Sequence, residues 1–296
     1  MSLWNNYYRA RSVPEALDAL RLAEGLAAVV AGGTDLLLDL QQGRHDPVNT
    51  LVDVSGVDEM RRITVEDEHI FVGAAVTHKT ILDSALLQKH AACLVDACGL
   101  IGGPQVRNVA TLGGNVAHAL PAADGVIALM ALDAEALIAS ADQRKWKPLH
   151  ALFAGPGEVT FDRRRELLVG FRFAQRHATE ASAFSRVMRP QGVAIAILNA
   201  GIWLRVGDGW VMDEIHIAFG PGGPKPFRAR QAEAFLRGKL LEESALNLAK
   251  QLILDEIKLR TSRHRATEDY RKHLVGVLFD RTFAEALARL DPSPAV

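Results

Sequence analysis

Apolar and polar residues alternate along the first 177 residues in short runs that predict a mixture of strands and helices. Ser12 is a favoured N-cap and Pro14 fits a first helical turn, so a helix is predicted to begin at Val13. Apolar runs bounded by polar turn residues predict strands at residues 27–30, 50–54, 62–65, 69–73, 136–139 and 166–171. Helical patterns begin at Thr77 and cover residues 86–98 and 125–132.

From about residue 181 the pattern changes to long β-rich stretches that are followed by helices. The stretches are residues 183–188, 193–206 and 210–219, and Gly207-Asp208-Gly209 predicts a hairpin turn between the last two. Helical patterns then cover residues 231–237, 242–254 and 267–290. Strands followed by helices indicate a separate α+β domain, so we place a domain boundary near residue 177.

Two segments with paired glycines carry the most specific chemical prediction. The first glycine segment, residues 31–35 (Ala-Gly-Gly-Thr-Asp), lies between a predicted strand and an apolar run that predicts a helix. Such a turn exposes backbone N–H groups beside the positive end of a helix dipole, which suits a phosphate, and glycine lets the backbone approach the anion closely. The second glycine segment, residues 111–115 (Thr-Leu-Gly-Gly-Asn), repeats the glycine pair. Two such bends suggest a ligand with two phosphates, as in a dinucleotide.

A plainer alternative stays open for both segments, because a Gly-Gly pair between a strand and a helix is commonly only a tight turn. Neither segment has the G-x-G-x-x-G spacing of a Rossmann fold. Neither is followed by the Gly-Lys-Ser/Thr of a P-loop. The pattern therefore favours a diphosphate without matching a common nucleotide-binding motif.

Composition argues against several classes of function. The chain has 34 basic and 35 acidic residues and a formal net charge of −1, which argues against nucleic acid as a partner. It contains no run of about 18 apolar residues, so no membrane span is expected. Residues 1–7 lack the basic and apolar regions of a secretory signal, and we therefore expect a cytoplasmic protein.

Cysteine and histidine patterns predict no metal site. The two cysteines, Cys93 and Cys98, are predicted on different faces of one helix, as small buried residues without a disulfide. Iron–sulfur clusters normally take four thiolates, which two cysteines cannot supply. The ten histidines are scattered and form no His-x-x-x-His pair that would indicate zinc.

Further short motifs accompany the glycine segments over most of the chain. They are Val30-Ala31-Gly32-Gly33-Thr34-Asp35-Leu36, Gln105-Val106-Arg107-Asn108, Ala110-Thr111-Leu112-Gly113-Gly114-Asn115-Val116, Pro121-Ala122-Ala123-Asp124, and Arg228-Ala229-Arg230 with Glu233, Leu236 and Gly238-Lys239-Leu240. In this order, they resemble the FAD-binding medium subunit of molybdenum hydroxylases, the family of xanthine dehydrogenase and aerobic carbon monoxide dehydrogenase. Several linked motifs in one order are far more specific than a single glycine pair.

The resemblance implies an α+β fold. A two-subdomain FAD-binding fold of the vanillyl-alcohol-oxidase (PCMH) type would be followed by a smaller α+β C-terminal domain. The FAD-binding domain is expected over residues 1–177, with subdomains of about 1–55 and 56–177, and the C-terminal medium-subunit domain over residues 178–290. The FAD is expected to lie extended between the two subdomains.

The resemblance also implies a function, that of an FAD-carrying electron-transfer subunit of a molybdenum-containing hydroxylase or dehydrogenase. A molybdopterin-binding large subunit would oxidise the organic substrate, and a small subunit with two [2Fe–2S] clusters would pass the electrons to the FAD. The FAD would then reduce an external acceptor such as NAD. The protein would position and tune the cofactor, so no side chain of this chain is expected to be catalytic.

All site residues implied by the resemblance are contacts to FAD. Backbone N–H groups of the first glycine segment are expected to surround the diphosphate, with Thr111, Gly113, Gly114 and Asn115 opposite. Asp124 is expected to accept hydrogen bonds from a sugar hydroxyl or from backbone amides, and Arg186 to place a cation near the isoalloxazine ring. The complete expected set is Val30, Ala31, Gly32, Gly33, Thr34, Asp35, Leu36, Ala110, Thr111, Gly113, Gly114, Asn115, Ala117, His118, Asp124, Leu168 and Arg186.

Structural explanations stay open for several of these residues. Asp35 and Asp124 could cap the helices that follow them, Asn115 could hold a turn, and Arg186 could lie on a solvated strand face. The family often has a lysine followed four residues later by an arginine, whereas Arg186 is followed at that distance by Pro190. For the whole protein, the alternatives are a flavin-free structural or regulatory subunit of the same fold, and a self-sufficient flavin oxidase.

Overall fold

The computed structural model describes residues 3–189, 195–263 and 265–290, which form a mixed α and β structure. The strands, in chain order, are β1 (Trp4–Arg9), β2 (Ala27–Val30), β3 (Val48–Asp53), β4 (Ile63–Glu66), β5 (His69–Gly73), β6 (Glu135–Ala139), β7 (Arg144–Pro148), β8 (Phe153–Gly155), β9 (Glu158–Val159), β10 (Leu167–Ala174), β11 (Glu180–Val187), β12 (Leu198–Val206), β13 (Met212–Gly220) and β14 (Phe227–Arg228). The α-helices are α1 (Val13–Leu22), α2 (Leu36–Gln41), α3 (His78–Asp83), α4 (Ala85–His90), α5 (Ala92–Leu100), α6 (Pro104–Arg107), α7 (Leu112–Ala117), α8 (Asp124–Ala131), α9 (Arg230–Leu236), α10 (Glu243–Glu256) and α11 (Glu268–Ala288).

Most predicted elements are confirmed, and the local chemistry that predicted them is visible. The Ser12 side chain accepts a hydrogen bond from the Glu15 backbone N–H and so caps α1. The single helix predicted over residues 86–98 is wrong, because the backbone leaves helical geometry at Ala91 and separates α4 from α5. Hydrophobic periodicity does not detect a break of one residue between two consecutive helices. The strand predicted over 193–206 begins at Leu198, and Val193 lies outside the described residues.

Packing divides the described residues into two compact units. The first contains the described residues up to Ile81 together with Gly102–Ala119 and Ala134–Ala174, and the second contains Leu82–Ile101, Leu120–Asp133 and the described residues from Gln175 onward. The chain therefore enters the second unit twice before residue 175. The reason is hydrophobic, since α5 and α8 pack on strands of the second unit and every residue of α8 is buried.

The first unit contains two main sheets. A parallel sheet has the strand order β1-β3-β2, and an antiparallel sheet has the order β4-β5-β10-β6-β7. A small core of Val30, Leu40, Val48 and Leu51 lies between the parallel sheet and α2. Because β2 ends at Val30 and α2 begins at Leu36, the first glycine segment connects the two elements around this core.

The second unit is an antiparallel sheet in the order β11-β12-β13-β14 with helices on both faces. Successive residues of β12 face opposite sides of the sheet. Ala200 and Ile202 face the core that includes α9, α10 and α11, whereas Gly201 faces α8. A Cβ at Gly201 would lie 3.1 Å from the Ile127 carbonyl oxygen, so glycine permits this close helix–sheet contact. Within the described ranges, no helix has the length and apolar character needed to cross a membrane.

The C-terminal motif that begins at Arg228 has a structural role in this unit. The buried Arg228 guanidinium donates to both carboxylate oxygens of Glu233, at 2.6 and 2.8 Å, and to Asp133 at 2.6 Å. Glu233 also accepts the Ile217 backbone N–H at 2.8 Å. Bidentate charged hydrogen bonds of this kind fix orientation, so the motif holds α9 against β13 and the end of α8.

The two cysteines behave as predicted. Cys93 and Cys98 both lie on α5, are buried and form no disulfide. Burial raises the pKa of Cys93 to about 12, and burial likewise raises the pKa of Cys98, so both thiols are inert.

Candidate functional site

The first glycine segment turns the chain from β2 into α2 and leaves its backbone amides unused by the helix. Gly33 has a φ of +69°, a left-handed conformation that glycine adopts without strain. The first hydrogen bond of α2 runs from the Leu37 N–H to the Gly33 carbonyl oxygen at 3.0 Å, so the N–H groups of residues 33–36 precede the helical ladder. Asp35 occupies the N-cap position, but its carboxylate makes no capping hydrogen bond. The capping alternative for Asp35 is therefore wrong.

Gly32 brings the first glycine segment against the residues that precede the second one. A Cβ at Gly32 would lie 2.1 Å from the Val109 carbonyl oxygen and 2.8 Å from the Ala110 Cα. No side chain fits at these distances, so only glycine allows the two backbones to approach. Both segments belong to the first unit, and this contact places the first segment beside the residues that directly precede the second.

The second glycine segment has a different local structure from the first. Thr111 is the N-cap of α7, and its hydroxyl accepts the Gly114 N–H at 3.1 Å. The remaining amides also donate within the protein: Leu112 to the Val76 oxygen at 3.0 Å, Gly113 to the Ala74 oxygen at 2.8 Å, and Asn115 to the Thr111 oxygen at 3.0 Å.

Every backbone N–H from Leu112 to Asn115 thus already donates to a protein oxygen, and the cradle expected from Thr111, Gly113, Gly114 and Asn115 stays a prediction. The physical reason is that residues 110–113 first pair with the extended chain at 74–78 and then enter a helix at once. The pairing and the helix together use every backbone N–H group from Leu112 to Asn115 as a hydrogen-bond donor.

The second glycine segment offers bare backbone and one side chain to a ligand. Gly113 is buried, and a Cβ there would lie 2.5 Å from the Ala74 Cβ. Gly114 is exposed, and a Cβ there would meet only the Thr111 hydroxyl, at 3.2 Å. The Asn115 Oδ1 atom is buried and has no hydrogen-bond partner in the described part of the chain. Asn115 thus does not hold a turn through this oxygen, which leaves it available to a donor from outside the chain.

The other expected contacts of the first unit flank these segments. Ala110 is buried against Gly32, and His118 is the C-cap residue of α7. The Ala117 carbonyl oxygen accepts a hydrogen bond from the Arg163 guanidinium at 2.6 Å, which places a cation at the C-terminus of α7. Leu168 is buried in β10, the strand on which α7 packs.

Asp124 and Arg186 form a buried ion pair within the second unit. Asp124 is the first residue of α8 and does not cap it, because Ala123 is the N-cap, so the capping alternative is wrong here also. One Asp124 carboxylate oxygen accepts from Arg186, and the other accepts from the Asn199 amide at 2.6 Å. Both charged side chains are 6% exposed. Burial raises the pKa of Asp124, while Arg186 and Asn199 oppose that rise.

This cluster changes the interpretation of both charged residues. Arg186 does not lie on a solvated strand face, and its charge is neutralised by a carboxylate of the same chain. Asp124 accepts from side chains rather than from backbone amides. Among the described residues, the Arg186 Nε and the Asn199 Oδ1 are buried and lack hydrogen-bond partners.

Sequence reasoning missed Asn199. It is completely buried in β12 and also donates to the Ala122 carbonyl oxygen at 3.2 Å. In the sequence, Asn199 stands out as a side-chain amide within the apolar stretch 195–204, where burying a polar side chain without partners is costly. The sequence alone could have identified the position but not its partner.

A cleft of about 380 Å³ in the second unit contains none of the expected site residues. It is lined by Lys89, Asp96, Arg176 and Arg289, among others. Arg289 is engaged with Asp96 and with the Ser182 carbonyl oxygen, and Arg176 donates to the Glu180 and Arg289 carbonyl oxygens. The charges of this cleft are thus largely satisfied within the protein.

Comparison with known proteins identifies the family to which the chain belongs. A family profile described as the FAD binding domain in molybdopterin dehydrogenase matches residues 3–173, and one described as the CO dehydrogenase flavoprotein C-terminal domain matches residues 182–286. The chain is 30% identical to the xanthine dehydrogenase FAD-binding subunit of Escherichia coli O157:H7, over 96% of each chain. It is 29% identical to the nicotinate dehydrogenase FAD-subunit of Eubacterium barkeri, over 96% of this chain and 97% of that one.

The fold agrees with these relatives. A solved carbon monoxide dehydrogenase from Hydrogenophaga pseudoflava, which lacks the Mo-pyranopterin moiety of the molybdenum cofactor, superposes with a TM-score of 0.90 and 26% identity. The superposition covers 97% of this chain and 98% of that one. The chain therefore belongs to the FAD-binding medium subunits of the molybdenum hydroxylase family, and it is an oxidoreductase flavoprotein subunit.

Proposed function

We propose that this chain holds FAD at the first glycine segment and carries electrons from the [2Fe–2S] clusters of a partner subunit to an external acceptor such as NAD. The complex would also contain a molybdopterin-binding large subunit that oxidises the organic substrate. The names of the relatives support an assembly of this kind, because they designate FAD subunits and medium chains. A cytoplasmic location is part of the same proposal.

One observation carries the proposal for the cofactor. The N–H groups of residues 33–36 precede the helical ladder of α2 and lie beside a backbone contact that only glycine permits. Backbone amides at the start of a helix favour a phosphate because they donate hydrogen bonds and lie at the positive end of the dipole. The residues present therefore fit the diphosphate of FAD at the first glycine segment.

Each group of residues has a distinct part in holding the cofactor. The amides of the first glycine segment would bind the diphosphate, the bare backbone at Gly114 would allow close approach, and Asn115 would accept a hydrogen bond through its unpartnered oxygen. When bound, FAD supplies the redox chemistry, since a flavin can exchange electrons singly and in pairs.

The proposed domain organisation follows the predicted boundaries. An FAD-binding domain would cover residues 1–177, with subdomains of about 1–55 and 56–177, and a C-terminal domain would cover residues 178–290. The two family matches, at residues 3–173 and 182–286, support a boundary near residue 177.

Flavin content tests the cofactor site. The protein purified with its partner subunits should contain FAD, measured by absorbance and mass spectrometry. Asn115→Leu should lower the occupancy, whereas Asn108→Leu should not, because Asn108 is exposed at the end of α6. A folded complex without flavin would favour a structural or regulatory subunit, and equal occupancy in both variants would remove Asn115 from the site.

Turnover by the isolated chain tests the electron-transfer proposal. The FAD-loaded chain alone should not oxidise xanthine or nicotinate, whereas the complete complex, tested with a panel that includes these compounds, should reduce its acceptor. Oxidation of an organic substrate by the isolated chain would favour the self-sufficient flavin oxidase instead. Reduction of NAD by the complex, measured by absorbance, would support NAD as the acceptor.

A further inference from the structure

Arg271, on the second turn of α11, is a buried arginine that has no counterion among the described residues. The residue is 3% exposed, and its Nε is enclosed and has no hydrogen-bond partner among the described residues. Within the same described ranges, its guanidinium forms no ion pair. The other buried arginines differ, since Arg228 is paired with Glu233 and Arg186 with Asp124.

The charges near Arg271 have the same sign as its own. Burial lowers the pKa of Arg271, and the positive charges of Arg265 and Arg260 lower it further. Both neighbours are exposed on the loop that joins α10 to α11. An acidic residue of the first helical turn, Glu268, is already engaged with Lys272 at 2.7 Å. Three guanidinium groups thus share one region without a carboxylate bound to any of them in the described part of the chain.

The loop that carries these arginines is held in place by hydrogen bonds. The Ser262 N–H donates to the Ala266 carbonyl oxygen at 2.9 Å, and the Glu268 N–H donates to the Thr261 hydroxyl at 3.0 Å. At the other end of the loop, the Lys258 N–H donates to the Gly222 carbonyl oxygen at 3.0 Å. The positive charges are therefore arranged by the fold.

A buried charge without a partner strongly destabilises a protein, so its presence calls for a ligand that compensates it. The planar guanidinium group matches phosphate and carboxylate oxygens through paired hydrogen bonds. One carboxylate would leave two of the three positive charges uncompensated, whereas a phosphate group carries close to two negative charges at neutral pH. We propose that Arg271, Arg260 and Arg265 form a binding site for a phosphate group, separate from the residues assigned to FAD.

Calorimetric titration of the complete complex with inorganic phosphate and with adenosine 5′-monophosphate, at constant ionic strength in chloride, tests the site. Phosphate should bind the wild-type protein, and Arg271→Met should weaken the binding at least about tenfold, which is the effect of losing charged hydrogen bonds. Arg281→Met is the matched control, because Arg281 is exposed on the same helix and its loss should leave binding unchanged. Tighter binding of the nucleotide would identify a phosphate ester as the ligand, and equal binding would identify free phosphate; both support the site.

Thermal unfolding separates ligand binding from a structural role. In chloride without phosphate, Arg271→Met should be at least as stable as the wild type, because the variant removes an uncompensated buried charge. Phosphate should raise the unfolding temperature of the wild type but not of Arg271→Met. Absence of phosphate binding to the wild type, equal affinity in Arg271→Met, or an equal loss of stability with and without phosphate would overturn the proposal. If Arg271→Met fails to fold, the double variant Arg260→Met/Arg265→Met provides the same comparison at exposed positions.

Discussion

The two glycine segments look alike in sequence and differ in what their backbones do. In the first, the amides of residues 33–36 precede the helix and take no part in its hydrogen bonds. In the second, the amides from Leu112 to Asn115 all donate to protein oxygens. The difference arises because residues 74–78 lie alongside the second segment and Thr111 caps its helix. A Gly-Gly pair before a helix thus indicates close backbone approach, but what the backbone approaches depends on the neighbouring chain.

The glycines in tightest contact should show the largest effects. Gly32→Ala would place a Cβ 2.1 Å from the Val109 oxygen, and Gly113→Ala would place one 2.5 Å from the Ala74 Cβ. Each change should cost more than about 3 kcal/mol in the free energy of unfolding, since backbone must move. Gly114→Ala, with only the Thr111 hydroxyl at 3.2 Å, should be tolerated. Denaturant unfolding measures all three, and a destabilised Gly114→Ala would contradict the assigned difference between the two neighbouring glycines.

Acid should lower the stability of the first unit through His78, which lies in the extended chain at 74–78 beside the second glycine segment. The buried His78 donates its backbone N–H to the Ala110 oxygen at 3.0 Å, and burial, aided by Arg107, lowers its pKa from 6.5 to about 4. Because the unfolded chain binds this proton more readily, stability is complete above about pH 6.5 and is lost as the pH falls toward 4. The loss attributable to this residue is on the order of 3 kcal/mol. Unfolding measured across this range should be flatter in His78→Gln, and identical slopes would remove His78 as the cause.

Two glycines with left-handed backbone conformation flank α2, and replacing each in turn distinguishes backbone strain from loss of a ligand contact. Gly33 has a φ of +69° and Gly43, just after the same helix, has a φ of +66° with open space around it. Alanine at Gly43 should cost about 1 kcal/mol, because a Cβ is disfavoured in this conformation. Alanine at Gly33 should cost more, because its Cβ would also lie 2.9 Å from the Leu37 Cδ1. Only Gly33→Ala should lower FAD occupancy, since only Gly33 lies among the unused amides. Equal flavin content in the two purified variants would count against the first glycine segment as the diphosphate site.

The smallest effect on stability is expected at the exposed glycine of the second segment. Gly114→Asp should change the free energy of unfolding by less than about 0.5 kcal/mol, as is usual for exposed positions, and an acidic side chain is acceptable in the first turn of α7. The new carboxylate would nevertheless repel a diphosphate that approaches the bare backbone. Flavin retention after gel filtration should therefore fall, and full retention would mean that the cofactor does not approach Gly114.

The motifs and the order of elements were predictable because they depend on local physics. The Ser12 cap, the strand that ends at Val30 and the buried helix at 124–131 follow from capping chemistry and hydrophobic patterns. The break at Ala91 and the partners of Asp124 were not predictable. A one-residue break leaves no mark in periodicity, and Asn199 is 75 residues from its partner.

By itself, the sequence determined that this chain carries two glycine pairs, a set of linked motifs and an α+β order of elements, since these are written in residue type and spacing. Only the tertiary structure decided which amides take no part in a helix, that Arg186 is neutralised by Asp124, and that Arg271 has no counterion in the part of the chain that the structure describes. Hydrogen bonds and ion pairs are made with whichever groups folding brings within about 3 Å. For these side chains and amides, those groups lie in distant parts of the chain.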